Sequence, residues 1–266
     1  MTQTLRPYLT ALRIRARLET QYRAAALGGL VTQVFFGLVY IFIYEAFFDG
    51  SDPEALRETI TYVWLQQMFF RLLLSTDGEL NQQILSGGVA YILCRPVDQY
   101  FYWLSRCLAM KAVGAVMRAV PMIALQFLLP PALRMALPDG LAGLGQFSLS
   151  LLLGTVCLAA IENICAAITM KTLDNRGISA MIRLLMAFLA GNIIPLTLFP
   201  ESLQALVRYQ PFAQALDAPS RMYLTAQALP EWLGSIGVQL FWVMALVALG
   251  RWMWACQLRN MTVQGG

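Results

Sequence analysis

Four charged side chains interrupt long apolar runs in this 266-residue sequence: Arg71, Arg118, Glu162 and Arg183, with Asn163 beside the acid. At the centre of a lipid-spanning helix each charge costs about 2.5–3.5 kcal/mol, so each must face protein, water or an opposite charge. Two arrangements would satisfy them. Arg71, Arg118, Glu162 and Asn163 would line an inner vestibule along the substrate path and hold the head of an amphiphile. Alternatively, a Glu162–Arg ion pair would fix helix packing near the inner interface.

Other chemistry is excluded by what the sequence lacks. It holds no histidine and two lysines, Lys111 and Lys171, so no Ser-His-Asp triad or His-ligated zinc site can form. Without a Gly-Lys dipeptide there is no phosphate-binding P-loop. No metal or catalytic residues are expected, and no cofactor. Five cysteines (94, 107, 157, 165 and 256) show no CxxC spacing and lie mostly in apolar runs, which suits reduced, packed thiols.

Composition identifies the solvent. Hydrophobic residues are 58% and charged residues 13%, against about 45–50% and about 25% in soluble domains. Mean hydropathy is +0.60. So few charges cannot cover a soluble surface of this size, so lipid must supply part of the surroundings. The apolar runs are continuous, unlike the alternating strands of a membrane barrel, and they predict an all-α protein. Six spans are expected, at 24–44, 59–76, 111–129, 140–170, 178–199 and 232–250, forming one transmembrane domain over residues 1–266.

Cation placement orients that domain. With both termini in the cytoplasm, the outer segments hold only Arg57, Arg134, Arg208 and Arg221, whereas twelve Lys and Arg lie inside or on inner flanks. The basic residues cap apolar runs and form no patch of the kind that binds nucleic acid. A multi-pass protein of the cell's inner (plasma) membrane follows. Residues 1–23 read as an interfacial helix, with Leu5, Leu9, Leu12 and Ala16 on one stripe and Arg6, Arg13 and Arg17 on another.

Two segments are unusual for plain connections. Asp77–Tyr100, on the cytoplasmic side, reads as two short helical pieces around Gly87-Gly88, ended by Arg95-Pro96. Asp77, Glu79, Asn81, Gln82 and Gln83 would present a polar face to something outside the membrane. Residues 191–231 are apolar, yet prolines at 195, 200, 211, 219 and 230 break them into short helices. Such pieces suit re-entrant or interfacial helices at the outer surface.

SGGVAYILCRPVD (Ser86–Asp98) resembles the cytoplasmic coupling segment of ABC-2-type ABC transporter permeases. GNIIPLTLFPESLQALVRYQPF (Gly191–Phe212), followed by Pro219 and Tyr223, resembles that family's region before the last helix; Leu224-Thr225 stand where the family often has a glycine. The resemblance implies a permease subunit of an ABC exporter, with no catalysis of its own. Its partners would be cytoplasmic ABC ATPase subunits, which bind ATP and Mg²⁺, and a second permease, identical or related. It implies an ATPase-coupling surface of Asp77, Glu79, Gln83, Ile84, Leu85, Gly87, Gly88, Val89, Arg95 and Pro96, with Ile84, Leu85 and Val89 as apolar knobs. It also implies an outer gate at Pro195, Phe199, Pro200, Pro211 and Phe212. The alternative is an ATP-independent polytopic protein, a scaffold or a secondary carrier using Glu162 as proton site.

Overall fold

The computed structural model describes residues 5–21, 23–74, 77–86, 88, 94, 96–174 and 176–260. Among these residues ten α-helices follow in order: α1 (Arg6–Gln21), α2 (Arg23–Phe48), α3 (Pro53–Leu74), α4 (Gly78–Leu85) and α5 (Gln99–Gln126), then α6 (Gly140–Thr172), α7 (Arg176–Leu189), α8 (Glu201–Arg208), α9 (Pro211–Leu224) and α10 (Leu229–Asn260). Short 3₁₀ turns lie at Pro131–Leu133 and Leu196–Leu198. No strand occurs among the described residues, as expected of an all-α chain.

Among the described residues, four helices are long and apolar enough to cross a membrane: Leu27–Phe48, Gln99–Gln126, Gly140–Thr172 and Leu229–Arg259. The chain is a multi-pass membrane protein. The expected span at 59–76 falls on α3, whose 22 residues would cover about 33 Å. Its composition is more polar, but residues 59–68 are all buried, so Thr59, Thr61, Gln66 and Gln67 face protein. Hydropathy underrates a helix enclosed by its neighbours.

Two expected spans change their limits. The third starts twelve residues earlier than position 111, because Asp98 caps α5 by accepting from the Phe101 N–H. Arg106 and Lys111 therefore lie inside the helix, 6% and 2% exposed, and are not flanking loop charges. The expected span at 178–199 is not one helix. α7 stops at Leu189 after 14 residues, about 21 Å, short of a ~30 Å hydrocarbon layer. Gly191 takes φ +77°, and the N–H groups of Asn192 and Ile193 both turn back to the Ala187 carbonyl. A β-carbon at Gly191 would stand 2.1 Å from the Tyr62 hydroxyl, so both conformation and space require glycine here.

The centre of the bundle is made by α6, α9, α10 and α3. Ala213 to Ser220 of α9 are buried without interruption. α9 lies so close to α6 that a β-carbon on Gly154 would come within 2.3 Å of the Ala215 carbonyl oxygen. Small residues allow this approach, the usual device where lipid removes the hydrophobic drive between helices. At the opposite face α2, α3 and α5 pack Ile41, Trp64, Met68 and Met122 into a second core.

α1 runs along α5 with Ala11 and Glu19 turned inward, at 4% and 8% exposure. Leu5 and Leu9 remain exposed on the outer surface. Leu12 and Ala16 of the same stripe are half-buried.

Candidate functional site

The charged residues converge where α1, α3, α4, α5 and α6 meet. Asp77 stands at the start of α4 and is 1% exposed. One carboxylate oxygen caps α4 by accepting from the Glu79 N–H at 3.1 Å. The other accepts from Arg106 Nε of α5 at 3.4 Å, and Arg15 of α1 lies 3.8 Å away. Arg106 also binds Glu79 and covers the Trp103 ring at 4.8 Å. A guanidinium serves here because its fork of donors reaches two carboxylates at once.

Glu19 extends this cluster to the spans. It pairs with Arg15 at 3.0 Å and with Arg71 of α3 at 3.4 Å. From α6, Glu162 accepts the Asp77 N–H through Oε1 and holds Lys111 Nζ at 3.0 Å through Oε2. Lys111 in turn donates to the Leu72 carbonyl at 2.9 Å. An isolated charge here would be prohibitively costly; paired and hydrogen-bonded, each acid becomes a link between helices.

Of the two arrangements expected for the intramembrane charges, the ion pair is formed, with Lys111 as partner in place of an arginine. The cavity lined by Asp77, Lys111, Glu162 and Arg183 has a volume of about 30 Å³, room for a water or two and not for an amphiphile head. Arg71 is held by Glu19, against Gly114 of α5. Arg118, one turn further along α5, places its guanidinium against Gly29 of α2, and no acid pairs with it among the described residues. Asn163 is fully buried; its carbonyl accepts from Trp254 Nε1 at 2.8 Å, and its side-chain amide has no partner among the described residues.

The segment expected to dock an ATPase is only partly turned outward. Asp77 points in, and Ile84 (3% exposed) packs with Leu80, Tyr100 and Trp103, so neither is available as a docking knob. The amphipathic turn of α4 dictates this: positions 77, 80 and 84 share its inner face. Leu85 is 50% exposed, Glu79 and Pro96 are exposed, and Gln83 donates to Glu79 at 3.3 Å. Gly88 is described and half-buried; Gly87, Val89 and Arg95 lie outside the described residues. The far end is tied by Asp98, whose N–H donates to Tyr8 Oη at 3.1 Å and whose carboxylate lies 3.3 Å from Arg251 of α10.

At the other end of the bundle, Pro195 is buried, Pro200 is exposed, and Phe199 meets Phe188 edge-on at 5.7 Å. Pro211 opens α9, Phe212 packs into the central core, and Gln210 donates to the Leu189 carbonyl, tying α9 to the end of α7. Sequence reasoning missed the polar centre of α9. Asp217 is wholly buried, accepts from Tyr62 Oη at 2.9 Å and pairs with Arg221 at 2.8 Å. Gln239 of α10 bridges Ser150 Oγ and the Gln214 carbonyl at 2.7 and 2.8 Å. An acid and a base four residues apart between Pro211 and Thr225 were the available signal.

Comparison with the curated proteins finds no match. Residues 29–265 match the family model described as ABC-2 family transporter protein. The matched range takes in the ion cluster from Arg71 to Glu162, both unusual segments, three of the four apolar spans and all but the first two residues of the other. The chain therefore belongs to the ABC-2 family and is a membrane permease of an ABC transporter.

Proposed function

We propose that this permease exports its substrate, driven by separate cytoplasmic ATPase subunits that bind ATP and Mg²⁺. Two permease chains, identical or related, would enclose the path, since one chain of this size supplies one wall. In this reading α2, α3, α5, α6 and α10 span the membrane. The sixth crossing is broken, formed by α7 with the outer pieces through α9. Both termini lie in the cytoplasm, and α1 rests in the interface with Leu5 and Leu9 in lipid. Export is the direction implied by the resemblance in Ser86–Asp98 and Gly191–Phe212.

The observation that carries the coupling role is the ion cluster around α4. Asp77 joins α4 to α5 and α6, and through Arg15 and Glu19 to α1 and α3. A push on Leu85 or on the segment beyond it is thereby delivered to four helices through charged, buried links. A free carrier using Glu162 as proton site finds less support, because that carboxylate is committed on both oxygens.

Purification of the tagged chain from its native membrane in mild detergent tests this. Two permease chains with ATP-hydrolysing subunits are expected. A functional complex with one permease copy, or transport without an ATPase, overturns it.

A further inference from the structure

At the end of the bundle away from the ion cluster, a groove opens sideways between α2 and the chain after α7. Its walls are Ile43, Phe47, Ile193, Ile194 and Leu198, and its volume is about 390 Å³. Tyr40 and Tyr44 form its floor and also border a small inner recess beside Tyr62, Gln66, Gln67 and Asn192. That recess has about 10 Å³ of space, enough for one hydroxyl or water. Among the described residues no charged one lines either space. Asp217 lies behind Tyr62 and is occupied by Tyr62 and Arg221.

The recess holds two orphans. Gln66 is 2% exposed and its Oε1 accepts from no group among the described residues; Asn192 is 9% exposed and its Nδ2 donates to none of them. A buried polar group left unmade costs about 1–3 kcal/mol, so an acceptor and a donor lining one recess suit a ligand that carries both. A hydroxyl does; a carboxylate only accepts and an ammonium only donates.

We infer that this groove binds an amphiphile with an uncharged hydroxyl head, the hydroxyl in the Gln66–Asn192 recess and its chain along Ile43 and Ile194. A protein partner would cap the groove without reaching the recess. The site rests on the chain being a membrane protein and not on its coupling to ATP.

The test uses the purified chain in phosphatidylcholine nanodiscs without nucleotide, so its outcome is separable from that of the export reading. The probe is a diacylglycerol with a diazirine in one acyl chain, its adducts mapped by mass spectrometry. Saturable labelling of residues 40–48 and 193–198 is expected, competed by unlabelled diacylglycerol and not by phosphatidic acid of the same chains. Gln66→Leu should weaken it about tenfold, the scale of losing one such hydrogen bond. Ile194→Trp, at an exposed position, should block the groove without disturbing the fold. Unsaturable labelling of every lipid-facing helix would mean annular lipid only. Equal competition by phosphatidic acid, or a groove covered by a second permease copy, would likewise overturn the proposal.

Discussion

Lys111 Nζ stands 3.0 Å from Glu162 Oε2 and donates to the Leu72 carbonyl at 2.9 Å, so one buried ammonium joins α5, α6 and α3. Glu162 returns the link to α4 by accepting the Asp77 N–H. Asp77, at the start of α4, is thus joined to the middle of the bundle through Glu162.

That pair makes a stability prediction. Lys111→Met leaves Glu162 buried without its cation and should cost about 3–5 kcal/mol. The double variant Lys111→Met with Glu162→Leu removes both charges and should recover most of the loss. Thermal unfolding of the two proteins in one detergent checks the order; equal losses would mean that the pair does not act as a unit.

α4 separates two neighbouring apolar residues by role. Ile84 is 3% exposed and Leu85 50%, so Ile84→Ala should cost about 2–5 kcal/mol of stability through the cavity it leaves. Leu85→Asp should leave the melting temperature near wild type and lower the amount of ATPase that co-purifies. Pull-downs and melts on both variants decide this; an undiminished ATPase yield with Leu85→Asp would free this face of a docking role.

The close approach of α9 to α6 predicts an asymmetry among glycines. Gly154→Ala sets a methyl 2.3 Å from the Ala215 carbonyl oxygen, a backbone atom that cannot swing aside, and should destabilise by about 1–3 kcal/mol. Gly28→Ala meets nothing within 4 Å on α2 and should be neutral or slightly stabilising. Melting curves of the two single variants provide the comparison.

Orientation is open to reporter fusions. Fusions at residue 90 should report the cytoplasm, and fusions within 49–58 and 200–231 the outside. An outside signal from residue 90 would invert the scheme and remove the coupling role from Asp77–Tyr100.

The long apolar helices were legible in the sequence because continuous hydrophobic runs have no other stable placement in lipid. α6 and α10 contain the expected runs. Hydropathy misplaced what depends on neighbours. Arg106 and Lys111 read as flanking charges because nothing local reveals that Asp77, Glu79 and Glu162 lie opposite them. α7 read as a full span because the apolar run continues past Gly191, where backbone and not composition ends the helix. The Asp217–Arg221 spacing was visible, but its burial depends on packing against Tyr62, 155 residues away in sequence.

The central claim, that the ion cluster transmits force between α4 and the spans, is tested most directly at Arg106. Arg106→Lys keeps the charge but cannot hold Asp77 and Glu79 together with one fork. ATP hydrolysis by the purified permease–ATPase complex is the measurement. The account predicts a complex assembled in wild-type amount whose permease-dependent hydrolysis falls about tenfold, the loss expected when roughly 1.4 kcal/mol of coupling is removed. Hydrolysis at the wild-type rate in that assembled complex would contradict it.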